Sequence, residues 1–251
     1  MSAVVIGASG ATGRQLAMHL ALREEKWGDV YLVHRGNIDI PTPEGQTHWE
    51  EGSPALTRLH SIEAKKMLEL KSLPTVDVLF NCIGTTRGAA GSAKAFVEVE
   101  VDYTEHALRL AESAGVQHVS VVTAEGANAA FPVPEFLSKG GEHSWLFTVP
   151  LLHPLLYVST LGRKQEAVAM SQIASRTVFQ PGMLQRHMGE RFWENLVNRL
   201  DIGLSVRTLA YAMMKDAEAA FVGGQCTTEL ADAVAPRYFT GNTAIDAYAK
   251  Q

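Results

Sequence analysis

The sequence predicts an α/β fold, namely a Rossmann-like, doubly wound parallel sheet in a single domain with a small helical part at the C-terminus. Three observations predict it. Apolar strand-like segments alternate with helical patterns, the first strand runs directly into a glycine-rich turn, and 251 residues are enough for one α/β domain with a full core. Because strands and helices alternate, we expect parallel strands with helices on both faces of the sheet.

The elements follow in chain order. Apolar segments of β type predict strands at residues 2–6, 30–34, 46–50, 76–83, 118–123 and 176–180. Apolar residues at helical spacing predict helices at residues 12–26, 54–70, 93–113 and 156–172. In the third helix, Phe96, Val99, Tyr103 and Leu110 fall near one face, and Gly115 stands where the chain leaves it.

Three glycines at a spacing of three follow the first strand. Gly7 allows a tight turn, Gly10 lets the backbone approach a pyrophosphate, and Gly13 lets the next helix pack close to the strand. The helix N-terminus adds unpaired N–H groups and a positive dipole end, which favour phosphate. The pattern predicts a dinucleotide site, and a plain structural turn is the alternative.

Ligands of such sheets bind beyond the carboxyl ends of the strands. We therefore interpret residues 1–251 as a single NAD(P)-binding domain in which residues 183–251 form a mostly helical, substrate-side part. The predicted cofactor-binding residues lie at or just beyond the strand ends, except Tyr157, which lies on the predicted helix over residues 156–172. They are Gly7, Ser9, Gly10, Ala11, Thr12, Gly13, Arg14, Arg35, Cys82, Ile83, Gly84, Thr85, Val122, Tyr157, Pro181, Gly182 and Met183.

The end of the second strand predicts which dinucleotide binds. NAD-binding proteins usually carry an acidic residue about twenty positions past the glycines. Here the strand ends in His34-Arg35-Gly36, without an acidic residue. A guanidinium can pair with a 2′-phosphate through two hydrogen bonds, and Arg14 offers a second cation. The sequence therefore predicts NADP(H) in preference to NAD(H), and two solvated arginines are the alternative.

Composition and charge argue against several classes of function. The chain has 22 lysine and arginine residues against 27 acidic ones, a net charge of −5, and no basic run, so we expect no nucleic-acid partner. Cys82 and Cys226 stand in no metal-binding or redox spacing, which predicts no metal site and a reducing compartment. No apolar run reaches the ~18 residues of a membrane helix, and we see no targeting segment, so we expect a soluble, cytoplasmic protein.

The loop after the fourth strand is the most distinctive motif. Its residues Ile83-Gly84-Thr85-Thr86-Arg87-Gly88, with Phe96-Val97 and Val101-Asp102-Tyr103, resemble the Tat-interacting-protein oxidoreductases, which are atypical short-chain dehydrogenase/reductases. The resemblance extends over nearly the whole chain. It continues at Gly10-Ala11-Thr12-Gly13-Arg14, His118, Gly126-Ala127-Asn128, Pro181-Gly182 and, more faintly, residues 241–245. It implies an NADP(H)-binding fold whose members include regulatory proteins with poorly defined substrates.

The resemblance also implies a Ser/Thr, a Tyr and a Lys four residues after the Tyr as catalytic groups. Tyr157 is the candidate proton donor, but Leu161 stands at the fourth position after it. Lys164 lies seven residues on, about 10 Å along a helix axis. A second alignment keeps Lys164 as the family lysine and places Thr160 at the tyrosine position. In both alignments the tyrosine–lysine spacing is altered.

The serine position is altered as well. If the family's two consecutive serines align with Thr123-Ala124, only Thr123 keeps a hydroxyl, so the candidate catalytic residues are Tyr157, Thr123 and Lys164. Two functions follow. One is a weak NADPH-dependent reductase of an unidentified carbonyl substrate. The other is a catalytically degraded NADP(H)-binding regulatory or scaffold protein that acts through protein partners.

Residues 129–155 form an insertion relative to the family. It leaves the fold beside Thr123 and returns at Tyr157, and it combines prolines with apolar residues. We expect it to cover the nicotinamide end of the site as a lid. A surface for a protein partner and an ordinary flap packed on the core are the alternatives.

Overall fold

The computed structural model describes residues 1–44, 46, 48–50, 52–131, 153–185, 203–227 and 235–251. Within them the strands are β1 (Ala3–Ile6), β2 (Val30–His34), β3 (Leu59–Glu63), β4 (Val78–Asn81), β5 (His118–Val122), β6 (Ser175–Gln180), β7 (Leu184–Gln185), β8 (Leu204–Ser205), β9 (Phe221–Val222), β10 (Gln225–Cys226) and β11 (Arg237–Thr240). The helices are α1 (Ala11–Ala21), α2 (Pro54–Thr57), α3 (Arg87–Ala90), α4 (Ala93–Val97), α5 (Tyr103–Ser113), α6 (His153–Met170), α7 (Val206–Ala219) and α8 (Asn242–Lys250).

Seven of these strands form one parallel sheet in the order β11-β6-β5-β4-β1-β2-β3. Successive residues of β1 face opposite sides of it. Ala3 and Val5 belong to an apolar cluster that includes residues of α1, α7 and α8, while Val4 and Ile6 belong to a second cluster with residues of α5 and α6. The sequence-based prediction of a doubly wound, Rossmann-like sheet is confirmed.

The direction of winding reverses next to β1. From β1 the chain proceeds outward through β2 and β3, and it then returns to β4 on the other side of β1. The carboxyl ends of β1 and β4 therefore border the crevice in which ligands of open parallel sheets bind. Both strands are fully buried, so the crevice is bordered by central strands that are packed on both faces.

Two predicted elements are wrong. The described residues of 46–50 form no strand, and residues 54–70 form no continuous helix. Instead, a single turn of helix at α2 leads into β3, and a short 3₁₀ helix follows at Met67–Glu69. β3 lies at the sheet edge and has no fully buried residue, so its apolar pattern is too weak to distinguish it from a helix.

The C-terminal part contributes to the sheet as well as to the helical layer. Among the described residues of 183–251, α7 and α8 flank the sheet and β11 pairs in parallel with β6. The predicted helix over residues 93–113 is present, with a π-helical turn at Glu98–Asp102 between α4 and α5. π-helical turns are rare and are often found at functional sites.

Candidate functional site

A first cavity of about 160 Å³ lies beyond the ends of β1, β2 and β4. It is lined by Ile6, Gly7, Ser9, Gly10, Val33, His34, Arg35, Ala64, Met67, Cys82, Ile83, Gly84, Val99 and Tyr103. These residues come from five separate segments of the chain, which the parallel sheet brings together beyond the carboxyl ends of its strands. The cavity occupies the position predicted for the adenosine half of a dinucleotide.

The three glycines of the turn are required by their contacts. Gly7 has a φ of +79°, and a Cβ there would lie 2.9 Å from backbone atoms of Cys82 and Ile83. A Cβ on Gly13 would lie 2.3 Å from the Gly7 carbonyl oxygen. Gly10 lines both cavities of the site, so its backbone borders the ligand space directly. This geometry fits a pyrophosphate at the N-terminus of α1.

His34, Arg35 and Tyr103 contribute polar side chains to the lining of the first cavity. The His34 ring is hydrogen-bonded to the Ser61 hydroxyl and the Gly36 carbonyl, which fixes the end of β2 against β3. Arg35 is exposed and lines the cavity. Burial, with the neighbouring Glu98 carboxylate, raises the pKa of the Tyr103 phenol, and Arg35 opposes that shift. Tyr103 is therefore a neutral side chain at physiological pH.

A second cavity of about 440 Å³ adjoins the first. It is lined by Gly10, Ala11, Thr12, Cys82, Ile83, Gly84, Thr85, Thr86, Glu100, Val122, Thr123, Ala124, Tyr157, Leu161, Pro181, Gly182, Met183 and Leu184. Gly10 and the segment 82–84 line both cavities, so the two spaces meet along the glycine turn. The two adjoining cavities, together the groove, lie across the switch point of the sheet.

Tyr157 and Leu161 line the second cavity from the same face of α6. The Tyr157 ring stacks on Phe96, with centroids 6.0 Å apart and an interplanar angle of 18°. Leu161 is 3% exposed, so an apolar side chain occupies the position where a lysine four residues after the tyrosine would stand. Thr160, the tyrosine position of the second alignment, is buried and does not line either cavity.

Thr123 lines the same cavity at the end of β5 and is 8% exposed. Its hydroxyl accepts a hydrogen bond of 2.9 Å from the Gln165 side-chain amide. Thr123 and Tyr157 thus place two hydroxyl groups in one cavity, where they can bind and protonate a carbonyl oxygen. The sequence analysis missed Gln165, which follows Lys164 directly and orients the threonine.

Lys164 is fully buried and does not line either cavity. Its Nζ lies 3.0 Å from Oε2 of Glu100 and donates a hydrogen bond of 2.6 Å to the Ile83 carbonyl. The other carboxylate oxygen of Glu100 accepts a hydrogen bond of 2.6 Å from the Thr85 N–H. The sequence analysis missed Glu100, because 64 residues separate it from its partner and no local spacing connects them.

Most of the predicted site residues line one of the two cavities. Those in the first are Gly7, Ser9, Gly10, Arg35, Cys82, Ile83 and Gly84, and those in the second also include Ala11, Thr12, Thr85, Val122, Thr123, Tyr157, Pro181, Gly182 and Met183. Gly13, Arg14 and Lys164 line neither. Residues 132–152 of the predicted insertion lie outside the described residues.

The site contains a thiol with little reactivity. Cys82 lines both cavities, and burial raises the pKa of its thiol to about 12, although the nearby Lys164 charge opposes the shift. A neutral thiol is a poor nucleophile. In the part of the chain that the structure describes, no group of His, Cys, Asp or Glu side chains is arranged to hold a metal ion. Over the same residues, no helix is long and apolar enough to span a membrane.

No protein-family model matches the chain. The protein HTATIP2 of Rattus norvegicus is 27% identical over 184 residues, which cover 73% of this chain and 62% of that protein. The mitochondrial protein FMP52-1 of Scheffersomyces stipitis is 27% identical over 210 residues, covering 81% of this chain and 75% of that protein. These similarities confirm the resemblance to the Tat-interacting-protein oxidoreductases.

Solved structures share the fold at low sequence identity. A UDP-galactose 4-epimerase has a TM-score of 0.60 and 15% identity, over 96% of this chain and 76% of that one. The oxidoreductase ylbE from Lactococcus lactis has a TM-score of 0.58 and 13% identity, over 100% and 95%. MoeE5, solved in complex with UDP-glucose and NAD, has a TM-score of 0.58 and 16% identity, over 96% and 86%. These structures and this chain share the Rossmann-like fold.

Proposed function

We propose that this chain, an atypical short-chain dehydrogenase/reductase related to HTATIP2 and the FMP52 proteins, binds NADP(H) along its two adjoining cavities and reduces a small carbonyl compound. The observation that carries the proposal is the groove of two adjoining cavities, whose lining extends from Arg35, past the glycine turn, to Thr123 and Tyr157. A dinucleotide needs two half-sites joined by a phosphate site, and the groove offers all three in that order.

The Arg35 charge at one end of the groove gives the proposed orientation. The adenosine half occupies the first cavity, where the Arg35 guanidinium pairs with the 2′-phosphate. The pyrophosphate meets the backbone of Gly10 and the N-terminus of α1. The nicotinamide half enters the second cavity, where the bound cofactor supplies a hydride.

The second cavity favours an uncharged substrate. Its described lining contains hydroxyl groups, apolar side chains and the Glu100 carboxylate, whose charge Lys164 compensates, and it contains no Lys, Arg or His side chain. The Thr123 hydroxyl, oriented by Gln165, holds the carbonyl oxygen, and the Tyr157 phenol donates the proton. Because a tyrosine phenol is ordinarily protonated at neutral pH, it can act as an acid in reduction without a lysine beside it.

A catalytically degraded, regulatory NADP(H)-binding protein is the second candidate. The observation that favours it is Leu161, which occupies the fourth position after Tyr157 and lines the cavity with an apolar side chain. Ala124, also in the lining, is the second altered position. In this candidate the segment 129–155 serves as the surface for a protein partner.

Calorimetric titration with NADPH and NADH tests the cofactor. The wild-type chain is expected to bind NADPH more tightly, by about 1–3 kcal/mol for a charge-assisted contact. Arg35→Ala should remove that preference, and Arg109→Ala, an exposed arginine of α5, should leave it intact. Equal affinities for the two cofactors, or an unchanged preference in Arg35→Ala, would refute the NADP(H) assignment.

Turnover separates the two candidate functions. We expect slow oxidation of NADPH by uncharged aldehydes or ketones, and loss of that activity in Tyr157→Phe, which keeps the ring that stacks on Phe96. If wild-type protein binds NADPH but a broad panel of such carbonyl compounds gives the same rate as Tyr157→Phe, the regulatory candidate is supported instead.

Location and partners stay predictions. We propose a cytoplasmic protein with a small-molecule substrate, although the FMP52 relatives are named as mitochondrial proteins. Fractionation of cells that express the tagged full chain tests the location.

Hydrogen exchange over residues 129–155 tests whether this segment is a lid: its protection should rise when NADP(H) binds. Free exchange in both states, with protection that rises with protein concentration, would indicate an association surface.

A further inference from the structure

The segment 83–85 lies at the junction of the two cavities, and its backbone is held by three buried side chains. The Ile83 N–H donates to Oδ1 of Asn81 at 3.0 Å, and the Ile83 carbonyl accepts from Lys164 at 2.6 Å. The Thr85 N–H donates to Glu100 at 2.6 Å. Since Ile83 and Gly84 line both cavities, their conformation shapes the passage between the two half-sites.

The Lys164–Glu100 pair makes this support rigid. The two side chains are 0% and 2% exposed, and their charged atoms lie 3.0 Å apart. A charge in the interior is costly unless it is paired. Lys164 and Glu100 therefore each hold the other in this position. The Glu100 carbonyl accepts a hydrogen bond from Thr104, which in turn accepts one from Asn81. One network therefore connects α5, the π-helical turn and the end of β4.

The direction of the Ile83 carbonyl matters for an anionic ligand. A carbonyl oxygen carries partial negative charge, and a dinucleotide carries negative phosphates. Because this oxygen accepts a hydrogen bond from the Lys164 ammonium, its partial negative charge is compensated within the protein. Lys164 also compensates the charge of Glu100, the carboxylate that lines the second cavity.

We propose that Glu100 is a positioning residue of the cofactor site, which together with Lys164 holds the segment 83–85 in the conformation that the dinucleotide requires. Lys164 acts through the Ile83 carbonyl instead of touching the reacting atoms. The inference rests on the proposed function and deepens it, because it assigns the buried lysine to cofactor binding by way of the loop backbone.

Equilibrium titration of NADPH into the full-length variants, followed by the fluorescence of NADPH, tests the proposal. Glu100→Gln loses the charge that fixes Lys164, and it should weaken binding about tenfold or more. Lys164→Met should weaken it further, because it also leaves an uncompensated carboxylate beside an anionic ligand. Glu100→Asp keeps the charge but cannot reach both Lys164 and the Thr85 N–H, so it should give a smaller loss and serves if the other variants fail to fold.

Asp216→Asn is the matched control. Asp216 is 1% exposed and pairs with Arg237 and His118, the first residues of β11 and β5, at the opposite end of the sheet from the cavities. It should lower thermal stability and leave the NADPH affinity unchanged. Binding within about twofold of wild type in the folded Glu100 and Lys164 variants would overturn the proposal. Failure of the wild-type chain to bind NADPH would instead overturn the proposed function.

Discussion

Replacing Gly13 with alanine tests the close packing of α1 on the glycine turn. The new Cβ would lie 2.3 Å from the Gly7 carbonyl oxygen and 2.8 Å from the Cα of Ala8. An ordinary van der Waals contact between a Cβ and a carbonyl oxygen is about 1 Å longer than the 2.3 Å to the Gly7 oxygen. The helix must therefore move away from β1. Glycine to alanine in a helix usually stabilises by up to ~1 kcal/mol, but overpacking of this kind costs about 1–3 kcal/mol.

We therefore expect Gly13→Ala to lower the free energy of unfolding by about 1–2 kcal/mol in urea titrations, and to weaken NADPH binding because the N-terminus of α1 is displaced. Gly88→Ala is the matched control, since Gly88 lies in α3 and a Cβ there would meet no atom within 4 Å. If Gly13→Ala were as stable as Gly88→Ala and bound NADPH equally well, the close-packing argument would be refuted.

Three further predictions concern the interior and the second cavity. Burial, with the Arg237 charge, lowers the pKa of His118 to about 3, and the Asp216 carboxylate that would favour the charged ring is already paired with Arg237. Unfolded His118 then binds a proton that the folded form excludes, so stability should fall as pH drops from about 6.5 towards 3, by up to ~1.4 kcal/mol per pH unit, and urea titrations of His118→Gln should show a flatter profile. Glu100→Gln and Lys164→Met should each cost about 3–5 kcal/mol of unfolding free energy, with the double variant costing less than their sum; strict additivity would contradict a coupled pair. Leu161→Lys should accelerate alcohol oxidation with NADP⁺ more than carbonyl reduction, because oxidation needs the Tyr157 phenolate; fast wild-type turnover that Lys164→Ala abolishes would show that the displaced lysine already suffices.

Local patterns in the sequence predicted the part of the site that a short stretch of chain builds alone. The turn from β1 to α1 depends on Gly7, Gly10 and Gly13. Gly7 has the positive φ, and Gly7 and Gly13 make backbone contacts too close for a Cβ. Tyr157 and Thr123, in contrast, were predicted from the resemblance to the Tat-interacting-protein oxidoreductases, which implies a tyrosine and a serine or threonine as catalytic groups. The structure brings these two residues to one cavity.

The remaining features depend on distant contacts. Glu100 and its partner Lys164 are 64 positions apart in the chain. Glu100 is buried because it pairs with Lys164 of α6, a contact that exists only in the folded protein. β3 and β11 occupy the two edges of the sheet, where backbone pairing to one neighbour suffices and the side chains are partly exposed. Edge strands therefore lack the apolar pattern that sequence reasoning needs.

A crystal structure of the chain with NADP(H) would test the central claim most directly. We expect the 2′-phosphate at Arg35 in the first cavity and the nicotinamide ring beside Thr123 and Tyr157 in the second. We also expect Lys164 Nζ to stay on Glu100 and the Ile83 carbonyl. A cofactor bound outside this groove, or a Lys164 ammonium that leaves Glu100 to contact the nicotinamide ribose, would contradict the claim.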